Sequence, residues 1–117
     1  MNGRFKALTF HAATLAGALV LSTVSVMTKA APAPATAAVH IGNFTFQAPV
    51  VTVKPGTTVT WTNGDDIPHT VVSKDGVFKS KVLDSGDHYS FTFAKSGQFG
   101  YFCSLHPHMT GTIVVKA

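Results

Sequence analysis

The clearest pattern along the chain is an alternation of apolar and polar residues with a period of two. Val59 and Trp61 alternate with threonines, and Tyr89, Phe91 and Phe93 alternate with polar residues in a second run. This period places the apolar side chains on one face and is typical of a half-buried β-strand. Two such strands are therefore predicted in the middle of the chain.

Shorter β-rich runs lie around these two strands, and Gly- or Pro-containing turn signals separate them. The additional runs are residues 39–47, 49–54, 69–74, 98–103 and 111–116. Residues 77–86 have too mixed a pattern to assign, and no convincing helical period follows residue 30. About seven short strands divided by turns predict an all-β, antiparallel sandwich or barrel.

The first 30 residues have the pattern of a secretory signal peptide. Arg4 and Lys6 precede an uncharged run over residues 12–28, which is shorter than the ~20 apolar residues needed to span a bilayer. Small residues follow this run, and the pattern favours cleavage after Ala30. We therefore expect an exported, periplasmic protein. A retained membrane anchor is the competing interpretation.

Cleavage there would leave a flexible, proline-rich lead-in at residues 31–38 and one folded domain at residues 39–117. The signal peptide carries three of the nine basic residues, so the mature chain has six lysines against five aspartates and a net charge of +1. No lysine cluster remains that would indicate nucleic acid or an anionic membrane surface. We expect a monomer that binds no nucleic acid and has no membrane span in its mature form.

Cys103 is the only cysteine, which is unusual in a small exported domain because oxidising compartments favour paired cysteines. Coordination of a metal would protect its thiol. His106 and Met109 follow at positions +3 and +6, and a thiolate, imidazole and thioether form a soft ligand set that selects copper. His69 is the best candidate for a second imidazole. The alternatives are zinc in this site and an inert, buried thiol.

Three motifs resemble those of cupredoxins, the small blue-copper proteins, and in particular their amicyanin and plastocyanin-like branch. They are Trp61-Thr-Asn63 leading into Asp66-Ile-Pro-His-Thr-Val71, the strand Gly100-Tyr-Phe-Cys103, and the loop Cys103-Ser-Leu-His-Pro-His-Met109. The spacing Cys-x-x-His-x-x-Met is similar to the short ligand loop of amicyanins. The resemblance covers roughly residues 39–117.

The resemblance implies a Greek-key β-sandwich with one type 1 copper ion. Carried over by position, it makes His69, Cys103 and His106 the trigonal plane and Met109 the weak axial ligand. This geometry is associated with electron transfer. No position is left open for substrate, so the resemblance implies a carrier of single electrons and not an enzyme. Its expected partners are redox proteins of the cytochrome or dehydrogenase type, docking weakly near His106.

Four apolar residues are candidates for the rim of that docking surface: Ile67, Pro68, Leu105 and Pro107. Other functions stay open at this point. The chain could be a periplasmic copper carrier or tolerance protein in which copper is cargo. It could also be the electron-entry domain of a copper oxidase or reductase, or a metal-free sandwich of the adhesion type.

Two positions depart from the pattern of the family. Thr70 follows His69 where relatives commonly have Asn, which supports the ligand loops and a hydrogen bond to the thiolate; the backbone N–H of Thr70 is the predicted replacement donor. His108 stands where amicyanins tend to carry an apolar residue. We expect it to be an exposed loop residue, and hypothesise that it tunes docking or the response to pH.

Overall fold

The computed structural model describes Thr9, residues 12–28 and residues 35–117. The chain divides into two units, residues 1–30 and 31–117. Residues 12–28 contain no regular secondary structure. No helix in the described part of the chain is long and apolar enough to cross a membrane. The predicted cleavage site after Ala30 lies outside the described residues.

The second unit is built from eight short strands. They are β1 (Thr36–Gly42), β2 (Thr45–Phe46), β3 (Val50–Val53), β4 (Thr57–Asn63), β5 (Val72–Ser73), β6 (His88–Phe93), β7 (Gly97–Phe102) and β8 (Thr110–Val115). Residues 35–117 contain no helix. The prediction of an all-β fold is therefore confirmed.

The strands form two four-stranded sheets, with the orders β2-β1-β4-β6 and β3-β8-β7-β5. The sandwich is confirmed, but the sheets are mixed and not purely antiparallel, because β1 pairs with β4 and β3 pairs with β8 in parallel. The β1–β4 pair follows from a crossover between sheets: after β2 the chain passes through β3 in the other sheet and then returns to β4, which runs in the same direction as β1.

Parallel pairing with β4 also sets where the first strand begins. Thr36 lies opposite Thr58 and Ala38 opposite Thr60, so β1 starts inside the stretch 31–38 that composition marks as a lead-in. The ladder supplies backbone partners that composition does not reveal. The boundary of the folded part therefore falls before residue 39.

The core lies between the two sheets; it contains the first predicted alternating run, whereas in the second run Phe93 is buried and Tyr89 and Phe91 are partly buried and pack against the core. Val59 and Trp61 of β4 are fully buried, and Phe93 of β6 is 1% exposed. Phe78 and Leu83 also belong to the core. These two come from residues 77–86, which form isolated bridges rather than a strand.

Candidate metal centre

The loop after β7 carries three of the four predicted site residues and is closed by its own backbone. Cys103 N–H donates to the carbonyl of Met109 at 3.0 Å, and Met109 N–H donates to the carbonyl of His106 at 2.9 Å. His106 N–H in turn donates to the carbonyl of Cys103 at 3.2 Å. The loop is therefore braced by its own backbone hydrogen bonds and by β7 and β8 at its ends.

His69 reaches the same place from the loop that follows β4. Its N–H donates to the carbonyl of Leu83 at 3.0 Å, and Leu83 N–H donates back at 2.8 Å. The fully buried side chain of Asn63 ties this arrangement together, because its Nδ2 donates to the carbonyls of Ile67 and Leu83 at 2.8 and 2.9 Å. The Asn63 amide therefore supports the segment that presents His69.

The structure brings together three of the predicted ligand residues: one ligand atom from each of His69, Cys103 and His106 lies within 4.8 Å of the other two. Cys103 Sγ is 3.7 Å from Nδ1 of both histidines. His69 and Cys103 are fully buried, and Met109, at the end of the loop, is 5% exposed. Two imidazole nitrogens and a thiolate fit copper by their softness and number.

The surroundings of Cys103 favour the thiolate. Burial by itself raises the pKa of the thiol. The hydrogen bond from Thr70 N–H and the contacts of Sγ with the His69 and His106 rings oppose this effect, with a further contribution from Leu105 N–H, and together they lower the pKa to about 6. The predicted bond from Thr70 N–H to Sγ is confirmed at 3.3 Å. A deprotonated sulfur is the form that binds a metal.

Comparisons with known proteins agree with this geometry. The family model of copper-binding proteins of the plastocyanin/azurin type matches residues 33–116. The chain belongs to this family. It is 38% identical over 93 residues to amicyanin from Paracoccus versutus, covering 74% of this chain and 70% of that protein. It is 41% identical over 91 residues to amicyanin-alpha from Methylorubrum extorquens, covering 74% and 76%.

Among solved structures, the purple cupredoxin from Nitrosopumilus maritimus superposes with a TM-score of 0.64 at 32% identity, covering 68% of this chain and 99% of that one. This chain is thus a cupredoxin of the amicyanin and plastocyanin type with one type 1 copper site. At the level of the family it is an electron-transfer copper protein rather than an enzyme.

In this cupredoxin, Thr70 does more than donate its N–H to the thiolate. Its Oγ1 accepts a hydrogen bond from Ser104 N–H at 2.7 Å and lies 2.7 Å from Ser104 Oγ and 3.8 Å from Cys103 Sγ. The hydroxyl therefore joins the His69 segment to the Cys103 loop. Ser104 was not among the predicted site residues, and only the fold reveals its contact with Thr70.

Asp65 is a second site residue that the sequence analysis missed. Its Oδ2 lies 2.8 Å from His69 Nε2. Because an ionised carboxylate only accepts hydrogen bonds, Nε2 carries the proton and Nδ1 keeps a free lone pair on the side of Cys103. The bond from Phe44 N–H lowers the pKa of Asp65, partial burial opposes this, and bonds from His69 and Asn43 N–H add to the lowering.

The predicted rim residues lie at the surface to different extents. Pro68, Leu105 and Pro107 are exposed, and Ile67 is half-buried. Leu105 is 47% exposed, so a large part of its side chain faces the solvent. His108 is exposed, as expected. Its effect on docking or pH response stays a prediction.

Proposed function

We propose that this cupredoxin is an exported carrier of single electrons whose copper is held by His69, Cys103 and His106 in the plane and by Met109 on the axis. A copper ion bound there supplies a one-electron couple. The observation that supports this proposal best is the convergence of two imidazole nitrogens and one thiol sulfur within 4.8 Å.

The contribution of the protein is to hold these side chains in place. The backbone bonds of the Cys103 loop and the Asn63 amide brace the segments that carry the ligand residues. Fixed ligands limit reorganisation between oxidation states, which favours fast electron exchange. Full burial of His69 and Cys103 also excludes water from the inner side of the site.

His106 is half-buried, whereas His69 is buried, so we assign His106 as the residue through which electrons enter and leave. The apolar rim around it would dock a redox protein of the cytochrome or dehydrogenase type. A net charge of +1 after loss of the signal peptide gives little long-range steering. Weak, transient complexes bury less than about 1,200 Å², which an apolar patch of this kind can supply.

Export rests on the sequence pattern of residues 1–30, which favours a periplasmic location after cleavage. N-terminal sequencing of the protein recovered from a periplasmic fraction would test this part of the proposal. We expect the mature chain to begin at Ala31. Recovery of the uncleaved chain in the membrane fraction would instead support a retained anchor.

Redox cycling of the copper-loaded mature protein tests the function itself. We expect an intense thiolate-to-copper absorption band that ascorbate abolishes and ferricyanide restores over repeated cycles, with the copper content unchanged. Cys103→Ser is the matched control and should lack the band. A weak band with rapid loss of copper to a chelator would contradict the proposal and indicate a copper carrier.

A further inference from the structure

The connection between β1 and β2 has an unusual backbone. Asn43 and Phe44 both adopt positive φ angles, of 50° and 57°. Asn tolerates this left-handed region, but a bulky aromatic residue is rare there and is retained only where its surroundings fix it. Something outside the turn must therefore hold Phe44 in this conformation.

The carboxylate of Asp65 is the group that holds it. Asp65 Oδ1 accepts the N–H of Asn43 at 2.6 Å, and Oδ2 accepts the N–H of Phe44 at 3.0 Å. The same Oδ2 accepts the Nε2–H of His69 at 2.8 Å. One side chain thus contacts both left-handed residues of the turn and one of the proposed copper ligands.

The turn places the Phe44 ring against both histidines of the site. Its centroid lies 5.9 Å from that of His69 and 5.1 Å from that of His106, each time edge to face at 87°. Such contacts are favourable for aromatic rings at these distances. Phe44 is nevertheless 53% exposed, so its ring lies between these imidazoles and the solvent.

We infer that Asp65 is a positioning residue with two targets: it fixes the orientation of His69, and it seats Phe44 as a shield over His69 and His106. Loss of the carboxylate releases the turn, and the ring then leaves His106. The consequence for copper retention rests on the proposed function, since it requires both histidines to be ligands. The coupling between Asp65 and Phe44 does not.

The coupling is tested in the metal-free protein by NMR of the His106 ring protons. Phe44→Leu removes the ring current and shifts these resonances. Asp65→Asn should shift them in the same direction, because an amide has one acceptor oxygen and cannot accept all three N–H groups. Asp66→Asn, which makes the same charge change at the neighbouring exposed residue, should leave them unchanged.

Non-additivity gives the sharpest form of this test. If Asp65 acts on His106 through Phe44, the double variant Asp65→Asn/Phe44→Leu should have nearly the same His106 resonances as Phe44→Leu alone. Wild-type His106 resonances in Asp65→Asn would overturn the inference. So would the absence of nuclear Overhauser contacts between the Phe44 and His106 rings in the wild type, a measurement that does not depend on whether any variant folds.

Copper retention gives a second measurement. Asp65→Asn is expected to weaken copper binding about 10- to 100-fold, as loss of a hydrogen bond to a ligand commonly does. Phe44→Leu should speed the removal of copper by a chelator while His69 keeps its hydrogen bond. Removal at the wild-type rate in Phe44→Leu would overturn the shielding role. If the wild type itself bound no copper, the proposed function would fail while the NMR result still stood.

Discussion

Thr70→Val removes the hydroxyl that joins the two ligand-bearing segments and keeps the size of the side chain. The backbone N–H of Thr70 continues to donate to Cys103 Sγ. Three contacts of Oγ1 are lost: with the N–H and Oγ of Ser104, and the longer one with Sγ. The substitution therefore separates the connection between the loops from the hydrogen bond to the thiolate.

The magnitude follows from what each lost bond leaves behind. Ser104 N–H loses its acceptor, which costs about 1–3 kcal/mol for a buried donor, and the bond between hydroxyls adds about 1 kcal/mol. Ser104 is exposed, so water takes over part of this role. The methyl group placed at a site only 5% exposed offsets about 0.8 kcal/mol. We expect a net loss of about 1–2 kcal/mol.

Urea unfolding of the metal-free protein measures this loss directly. In thermal unfolding, the same loss is expected to lower Tm by about 5–15 °C for a domain of this size. Thr62→Val, on the exposed face of β4, is the matched control and should change the free energy of unfolding by less than about 0.5 kcal/mol. If the two variants were equally stable, Thr70 would not join the loops and the reasoning would be refuted.

Two further predictions concern the Cys103 thiol and the packing of Gly111 against Tyr101. In the metal-free protein, ultraviolet titration of the Cys103 thiolate should give a pKa of about 6. Because this pKa lies below the unfolded value of about 8.5, the stabilisation from the thiolate is present above pH 8.5 and is lost as pH falls through 6. Cys103→Ser should remove this slope from stability measurements, and an unchanged slope would contradict the assignment. Gly111→Ala would place a Cβ 2.4 Å from the Tyr101 hydroxyl and should lower the free energy of unfolding by about 1–3 kcal/mol. Gly100→Ala is its control, since the nearest atom there is the flexible end of Lys74 at 3.2 Å; an equal cost at both positions would argue against overpacking at Tyr101.

Much of the site was predictable because its information is local. Cys103, His106 and Met109 lie in one short loop between two strands, so their proximity follows from the sequence. His69 was identified as the missing imidazole, and the structure places it 3.7 Å from the thiol sulfur. The alternating runs of β4 and β6 were equally clear, because a period of two leads directly to a buried face.

The remaining features depend on contacts between distant parts of the chain. The parallel pairing of β1 with β4 has no local sequence signal, and it fixes where the first strand begins. Phe78 and Leu83 enter the core from a segment without regular periodicity. Their burial is set by the sheets that they cover, and a pattern search within residues 77–86 does not reveal it.

The same reason explains why three residues around the metal centre were missed. Asp65 holds Phe44 from 21 positions away, and Ser104 contacts Thr70 from 34 positions away in the chain. An aspartate four residues before a candidate ligand histidine was visible in the sequence. The turn that this aspartate holds was not visible, because Phe44 lies between β1 and β2, far from Asp65 in the sequence.

X-ray absorption at the copper edge of the loaded mature protein tests the proposed ligand set most directly. We predict a first shell with two nitrogen scatterers from His69 and His106 and one short sulfur scatterer from Cys103. Cys103→Ser should lose the sulfur contribution. A wild-type spectrum without short sulfur scattering, or one unaltered by Cys103→Ser, would contradict the assignment of this site.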